Sequence, residues 1–144
     1  MSESTASFVG SFGTTAGMQG CAGIFPALTI VFVTNMSGHS VDLTLIVMSI
    51  IVVSIGSLGI AGIPGTATMA ASVGLSGTGL AGLFPLVNPI LAIDPIIDMP
   101  RTMLNVIGSV TNAIMVDKSL GQINLSVYND PEAGNETAAN GEFE

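Results

Sequence analysis

Apolar residues dominate three long segments of the chain, each close to the ~20 residues that an α-helix needs to cross a lipid bilayer. The segments cover roughly residues 12–36, 43–63 and 80–97. After Pro100 a further apolar stretch continues to about Val116. Lengths of this order predict membrane-spanning helices rather than the amphipathic helices of a soluble domain.

Two of these segments are interrupted by glycine and proline. Gly13, Gly17, Gly20 and Gly23 break the first segment, and the run SLGIAGIPG at residues 57–65 breaks the centre of the chain. Unpaired backbone N–H and C=O groups facing lipid cost several kcal/mol each, so irregular backbone at membrane depth lines a cavity or is covered by protein. Broken helices therefore favour a transporter binding site. The alternative is that the glycines are close contacts between packed helices.

Charge is scarce and unevenly placed. Charged residues make up 8% of the 144 residues, against roughly a quarter in an ordinary soluble domain. Residues 43–93 contain no Asp, Glu, Lys or Arg, whereas six of the ten acidic residues lie in the last 28 positions. The two basic residues exclude a nucleic-acid-binding protein. The composition predicts an all-α integral membrane protein with an acidic, disordered tail over residues 119–144.

Charged and polar residues reappear within the apolar run LAIDPIIDMPRTMLNV. Asp94, Asp98, Arg101 and Asn105 are spaced by four, three and four, which places them on one face of a helix. A charge at the centre of a membrane helix costs about 2.5–3.5 kcal/mol or more, so such residues pair or bind a polar ligand. One interpretation is a zwitterion site in which Asp98 binds an ammonium and Arg101 a carboxylate. The other is a buried ion pair that only holds helices together.

Three motifs, in order, resemble the dicarboxylate/amino acid:cation symporters, the glutamate-transporter-like family. GTTAGMQGC at residues 13–21 resembles the unwound stretch of the family's seventh transmembrane helix, and SLGIAGIPG resembles the tip of its second re-entrant hairpin. IDMPRTMLNVIGS at residues 97–109 is similar to its last transmembrane helix. Within the family, GCAGIFPA at residues 20–27 resembles the branch of bacterial L-cystine transporters.

The resemblance implies a specific architecture. After a short lead at residues 1–10, it implies a broken transmembrane helix at 12–36, a re-entrant hairpin at 41–79 and a last transmembrane helix at 81–117. Family members have six earlier transmembrane helices, a first hairpin and a homotrimeric assembly. The chain is therefore expected to be the C-terminal part of a multi-pass cell-membrane transporter, with its missing N-terminal part and the lipid bilayer as partners and a cytoplasmic tail.

The resemblance also implies roles for individual residues. Asp98 would bind the substrate ammonium, while Asn105 and Arg101 would meet carboxylates. The other expected substrate-binding residues are Cys21, Gly62, Ile63 and Thr102. A sodium ion would be held by backbone carbonyls of five residues: Thr15, Met18, Ser57, Leu58 and Ile60.

Two departures from the family pattern affect ion coupling. Gln19 stands where the family has the Asp of its seventh-helix motif, and Ser109 stands where an Asp usually follows Asn105 by four. Amides and hydroxyls are poorer ligands for a buried cation than carboxylates. The sequence thus predicts fewer sodium ions or a proton as coupling ion. Asp94 is a candidate proton carrier or a member of a structural polar network.

The expected function is transport rather than enzymatic catalysis, with no cofactor beyond a possible Na⁺. The substrate is expected to be an amino acid, with L-cystine first, then other neutral or polar amino acids, then aspartate, glutamate or a C4-dicarboxylate. An ammonium site at Asp98 argues against simple dicarboxylates, because they carry no amine. The alternatives are a non-functional remnant of a truncated transporter gene and a small membrane subunit without transport activity.

Overall fold

The computed structural model describes residues 1–60, 62–63 and 65–133, and this part of the chain is all-helical. The α-helices are α1 (Glu3–Ala16), α2 (Phe25–Met36), α3 (Leu43–Ser57), α4 (Thr66–Gly77), α5 (Asn88–Ala92), α6 (Asp94–Ser119) and α7 (Leu125–Tyr128). A π-helix, Gln19–Ile24, precedes α2, and a 3-10 helix, Ala81–Val87, precedes α5. Helix α7 lies within the predicted tail, of which residues 134–144 are outside the described residues.

Helix α1 begins earlier than the sequence predicted. The hydroxyl of Ser2 accepts a hydrogen bond from the backbone N–H of Thr5, a typical N-cap. The N–H and hydroxyl of Ser2 both donate to the carboxylate of Asp117, at 2.5 and 2.9 Å. Because Asp117 secures this cap, the helix begins at Glu3, and the short lead predicted for residues 1–10 is mostly helical.

The break in the first apolar segment is short. Helix α1 ends at Ala16, and the π-helix begins at Gln19 and continues directly into α2 with Pro26 in its first turn. The unwound stretch predicted at residues 13–21 is therefore confined to the neighbourhood of Gly17 and Met18. A single turn of π-helix at such a break is frequent at functional sites.

Helices α3 and α4 are joined by a short turn and form a helical hairpin at the residues where a hairpin was predicted. Asp42 caps α3 by accepting a hydrogen bond from the N–H of Leu45 at 2.8 Å. The two helices pack closely, since a Cβ on Gly77 would lie 2.4 Å from a methyl carbon of Val52. Gly65, with φ of +89°, ends the turn in a left-handed conformation that favours glycine.

The last apolar segment is not the single helix predicted for residues 81–117. The helical run Ala81–Ala92 meets α6 at an angle of 86°, with the break at Ile93. Pro85, Pro89 and Pro95 each lack the N–H that a continuous helix would need, and they flank this break. Pro100 lies inside α6 without ending it.

The buried core is small, and large apolar side chains cover much of the outside. Ile30 and Val33 of α2, Leu75 of α4 and Val87 of the 3-10 helix are fully buried. Helix α3 has no buried residue among those described. Within the described residues, Glu3–Met36 is long and apolar enough to cross a membrane, and the bent pair forms a second candidate. Apolar helices exposed to this extent are typical of a protein surrounded by lipid or by further protein.

Candidate functional site

A cavity of about 620 Å³ lies between α1, the π-helix and α6, bordered by the turn between α3 and α4. It contains six of the seven residues predicted to bind substrate: Cys21, Gly62, Ile63, Asp98, Thr102 and Asn105. Apolar side chains of α1 and α6, including Val9, Val106 and Val110, line its other end. Residues from three distant parts of the sequence therefore meet at one concave surface of a size typical for small-molecule sites.

Asp98 is the acidic residue that faces this cavity. Its side chain is 45% exposed, whereas that of Asp94 is 18% exposed. Its Oδ1 accepts hydrogen bonds from Arg101 Nη2 at 3.1 Å and from the Cys21 thiol at 3.5 Å, and its Oδ2 accepts one from the Thr102 hydroxyl at 3.4 Å. A carboxylate has about four lone-pair positions, so Asp98 retains acceptor capacity for a ligand.

Arg101 does not line the cavity but lies beside it. One nitrogen, Nη2, donates to both Asp94 and Asp98, and the guanidinium carbon lies 4.2 Å from the centre of the Phe25 ring, a cation–π contact. Its side chain is 10% exposed, and Nε and Nη1 have no hydrogen-bond partner among the described residues. The three-residue cluster of two carboxylates and one guanidinium has a net charge of −1.

Asn105 joins α6 to the π-helix. Its Oδ1 accepts a hydrogen bond from the N–H of Gly20 at 2.7 Å, and its Nδ2 donates to the sulfur of Cys21 at 3.1 Å. The first N–H groups of a helix lack partners within the helix, so Asn105 satisfies one of them. The approach requires glycine, because a Cβ on Gly20 would lie 2.8 Å from the carbonyl oxygen of Arg101.

The turn between α3 and α4 contacts the break after α1. A Cβ on Gly62 would lie 2.8 Å from the carbonyl oxygen of Thr14 and 3.3 Å from the sulfur of Met18. Ile63 beside it is 52% exposed and lines the cavity. This contact brings together the two Gly-rich motifs that the sequence marked as irregular backbone within apolar segments.

A cation at this junction would depend on backbone oxygens. The described residues contain no group of three or more His, Cys, Asp or Glu side chains that could hold a metal. Of the five carbonyls predicted to bind sodium, that of Met18 accepts a hydrogen bond from Ala22 at 2.8 Å and that of Ser57 accepts a long one from Ile60 at 3.4 Å. The sodium ligands Thr15, Met18, Ser57, Leu58 and Ile60 stay a prediction.

Gln19 and Ser109, at which the resemblance implies carboxylates, make contacts between helices. The Gln19 side chain donates from Nε2 to the carbonyl of Leu104 at 2.9 Å. Ser109 fits against Gly13 of α1 and Gly17 just after it, since Cβ atoms there would lie 3.3 and 2.5 Å from its hydroxyl oxygen. Both positions therefore join the first apolar segment to α6 with neutral groups.

Sequence reasoning missed two residues around the site. Phe25, which covers the Arg101 guanidinium, follows Cys21 by four positions and so lies on the same side of a helix. Asp117, the last residue of the helix predicted at 81–117, has a fully buried side chain that is bound to the start of α1. The first could have been found from helical spacing, whereas the second depends on a contact across 115 positions of sequence.

Comparison with known proteins identifies the family. The sequence pattern of the sodium:dicarboxylate symporter family matches residues 1–119. Curated relatives include L-cystine uptake proteins from Shouchella clausii (41% identical over 90% of this chain), Bacillus thuringiensis strain Al Hakam (39% over 92%) and Bacillus licheniformis (38% over 89%).

The chain spans 28% of the length of each of these relatives. No solved structure matches it significantly. The family pattern covers most of the chain, including all three motifs and every residue lining the cavity. The chain thus belongs to the sodium:dicarboxylate symporter family, whose members are transporters rather than enzymes.

Proposed function

We propose that this chain forms part of a secondary active symporter that imports an amino acid, with L-cystine as the first candidate. The observation that carries the proposal is the convergence of Cys21, Gly62, Ile63, Asp98, Thr102 and Asn105 on one cavity. The family resemblance implies a substrate-binding role for each of these six residues. Asp98 is assigned to the substrate ammonium.

The charge of the site favours a substrate that carries an amine. The cluster of Asp94, Asp98 and Arg101 has a net charge of −1, which an ammonium group at Asp98 would neutralise. A C4-dicarboxylate would instead bring two further negative charges to the same cluster, and like charges repel. An amino acid is therefore preferred over a simple dicarboxylate.

Donors for the substrate carboxylates are available at two residues. An asparagine amide has two N–H donors, and one of those on Asn105 is directed to Cys21, which leaves the second for a carboxylate. Arg101 has unpartnered Nε and Nη1 groups that suit a carboxylate, but both are buried beside the cavity, so the guanidinium must turn toward the cavity to meet the substrate. L-cystine, with two amino-acid ends, is placed first because three relatives at about 40% identity are L-cystine uptake proteins.

The proposed coupling uses fewer sodium ions than the family pattern implies, or a proton. Gln19 and Ser109 provide neutral groups where the family pattern has acids, and both already contact neighbouring helices. Sodium would then be left with backbone carbonyls near Met18 and the turn after Ser57, which are hard oxygen ligands. Asp94 is assigned to the polar network, because its carboxylate is paired with Arg101, rather than to proton transfer.

The remaining part of the transporter is the proposed partner. Because the chain spans 28% of its curated relatives, the complete substrate pathway would need the rest of the protein. The exposed apolar helices fit a cell-membrane location in contact with lipid and with that partner. A homotrimer and a cytoplasmic tail remain implications of the family resemblance.

Uptake by a chimera tests the proposal. The chain replaces the matching part of the Shouchella clausii L-cystine uptake protein, in cells without cystine uptake of their own, and radiolabelled L-cystine is measured. Asp98→Asn should raise the KM about 10- to 100-fold, since hydrogen bonds to charged groups contribute about 1.5–3 kcal/mol. Asp130→Asn, in the exposed tail, is the control and should change nothing.

Three results would contradict the proposal. A KM for Asp98→Asn within about twofold of the parent value would show that Asp98 does not bind the substrate ammonium. A chimera that inserts into the membrane at normal levels but transports no L-cystine would favour the non-functional remnant. Saturable succinate uptake by the parent chimera, without L-cystine uptake, would instead support a dicarboxylate transporter.

A further inference from the structure

The buried thiol of Cys21 lies within hydrogen-bonding distance of two polar side chains of α6. Its side chain is 4% exposed, and its sulfur lies 3.1 Å from Asn105 Nδ2 and 3.5 Å from Asp98 Oδ1. A thiol can accept a hydrogen bond at sulfur while donating its own proton. Because Asn105 donates to the sulfur, the S–H group is left to donate to the Asp98 carboxylate.

The position of this thiol is set by the helices rather than by its own flexibility. The neighbouring N–H of Gly20 is bonded to Asn105, and the backbone of Gly20 lies against the carbonyl of Arg101 with no room for a Cβ. Two adjacent residues of the π-helix are therefore bound to one turn of α6. The backbone of Cys21 cannot move away from this turn of α6 without breaking the contact of Gly20.

We infer that Cys21 is a positioning residue that orients the Asp98 carboxylate toward the cavity. The inference rests on the proposed role of Asp98 in binding the substrate ammonium. Oδ1 is shared between Cys21 on one side and Arg101 on the other, while Thr102 holds Oδ2. The carboxylate is thereby held between three donors, with 45% of the side chain still exposed.

The thiol matters because Arg101 competes for the same carboxylate. Nε and Nη1 of Arg101 have no partner among the described residues, so the guanidinium has spare donors. Arginine and carboxylate groups favour two parallel hydrogen bonds. Without the thiol, the Asp98 carboxylate would rotate toward Arg101 and present fewer lone pairs to a substrate ammonium.

Infrared spectroscopy of the chain in liposomes tests the contact without any need for transport. The chain contains one cysteine, so its S–H stretching band reports Cys21 alone. The band should lie at the lower frequency of a hydrogen-bonded thiol, and Asp98→Ala should shift it to higher frequency. Asp130→Asn, which changes an exposed carboxylate in the tail, should leave the band in place. A free-thiol band in the parent chain that Asp98→Ala does not move would overturn the inference.

Kinetics of the chimera test the functional consequence. Cys21→Ala should raise the KM for L-cystine about 2- to 10-fold at unchanged maximal rate, in line with the net contribution of one hydrogen bond. Cys21→Ser, which can also donate and accept, should restore the KM to within about twofold of the parent. In an Asp98→Asn background, Cys21→Ala should have no further effect, because the thiol acts through that carboxylate.

The alternatives give different results. Effects of Cys21→Ala and Asp98→Asn that add fully, with no rescue by serine, would assign Cys21 to packing and overturn the inference. A chimera without L-cystine uptake would count against the proposed function, whereas the infrared band would still decide whether the thiol contacts Asp98.

Discussion

The contact between the π-helix and α6 predicts opposite outcomes for two glycines of one helical turn. A Cβ on Gly20 would lie 2.8 Å from the carbonyl oxygen of Arg101 and 3.1 Å from Asn105 Oδ1. A Cβ on Gly23 would have nothing within 4 Å. Gly20→Ala should therefore push the π-helix away from α6, whereas Gly23→Ala should fit.

The expected cost follows from the two interactions lost. Overpacking costs about 1–3 kcal/mol, and loss of the 2.7 Å hydrogen bond from Gly20 to Asn105 adds about 0.5–1.5 kcal/mol. Alanine is otherwise favoured over glycine inside a helix by roughly 0.5–1 kcal/mol. Local stability should thus fall by about 1–3 kcal/mol for Gly20→Ala and should be unchanged or slightly higher for Gly23→Ala.

Alkylation of Cys21 by a maleimide measures this stability directly. The thiol is buried, so alkylation requires local opening of the structure. Each decrease of about 1.4 kcal/mol in the free energy of opening increases the alkylation rate tenfold. In liposomes, Gly20→Ala should react about 5- to 100-fold faster than the parent chain, and Gly23→Ala within about threefold of it. Equal rates in denaturant check that the intrinsic reactivity of the thiol is unchanged. Equal rates for both variants under native conditions would refute the packing argument.

Three further variants test other contacts. Asp117→Asn should speed amide hydrogen exchange in the first turn of α1 about tenfold or more, because charge-assisted bonds at a buried acid are lost, while Asp130→Asn should leave exchange unchanged. Gly77→Ala should lower the unfolding free energy by about 1–3 kcal/mol, because the added methyl group would clash with α3. Gly82→Ala, at a position that faces open space, should leave the unfolding free energy unchanged. Unfolding followed by circular dichroism distinguishes the two variants. Asp94→Asn should raise the KM of the chimera for L-cystine about tenfold, because Arg101 then bonds to Asp98 alone. An unchanged KM would show that Asp94 does not influence the substrate site.

The sequence predicted the elements of the site better than their geometry. Helical spacing correctly placed Asp98, Arg101 and Asn105 together on one helix, and the Gly-rich runs correctly marked where helices end. These features are local, because they depend on periodicity and on the backbone preferences of glycine and proline.

The features that could not be predicted depend on contacts across the chain. Helix α1 begins at Glu3 because Asp117, at the far end of the sequence, binds the cap formed by Ser2. Arg101 lies beside the cavity rather than in it because Phe25 and two carboxylates hold its guanidinium. The π-helical turn likewise depends on bonds from α6 rather than on a pattern in its own residues.

Inhibition by an analogue of L-cystine without its amines tests the assignment of Asp98 most directly. 3,3′-Dithiodipropionate retains the disulfide and both carboxylates but has no ammonium group to meet Asp98. Uptake of radiolabelled L-cystine by the chimera should be inhibited by unlabelled L-cystine at least about tenfold more strongly than by this analogue, and Asp98→Asn should reduce that preference toward unity. Equal inhibition by the two compounds in the parent chimera would contradict an ammonium site at Asp98.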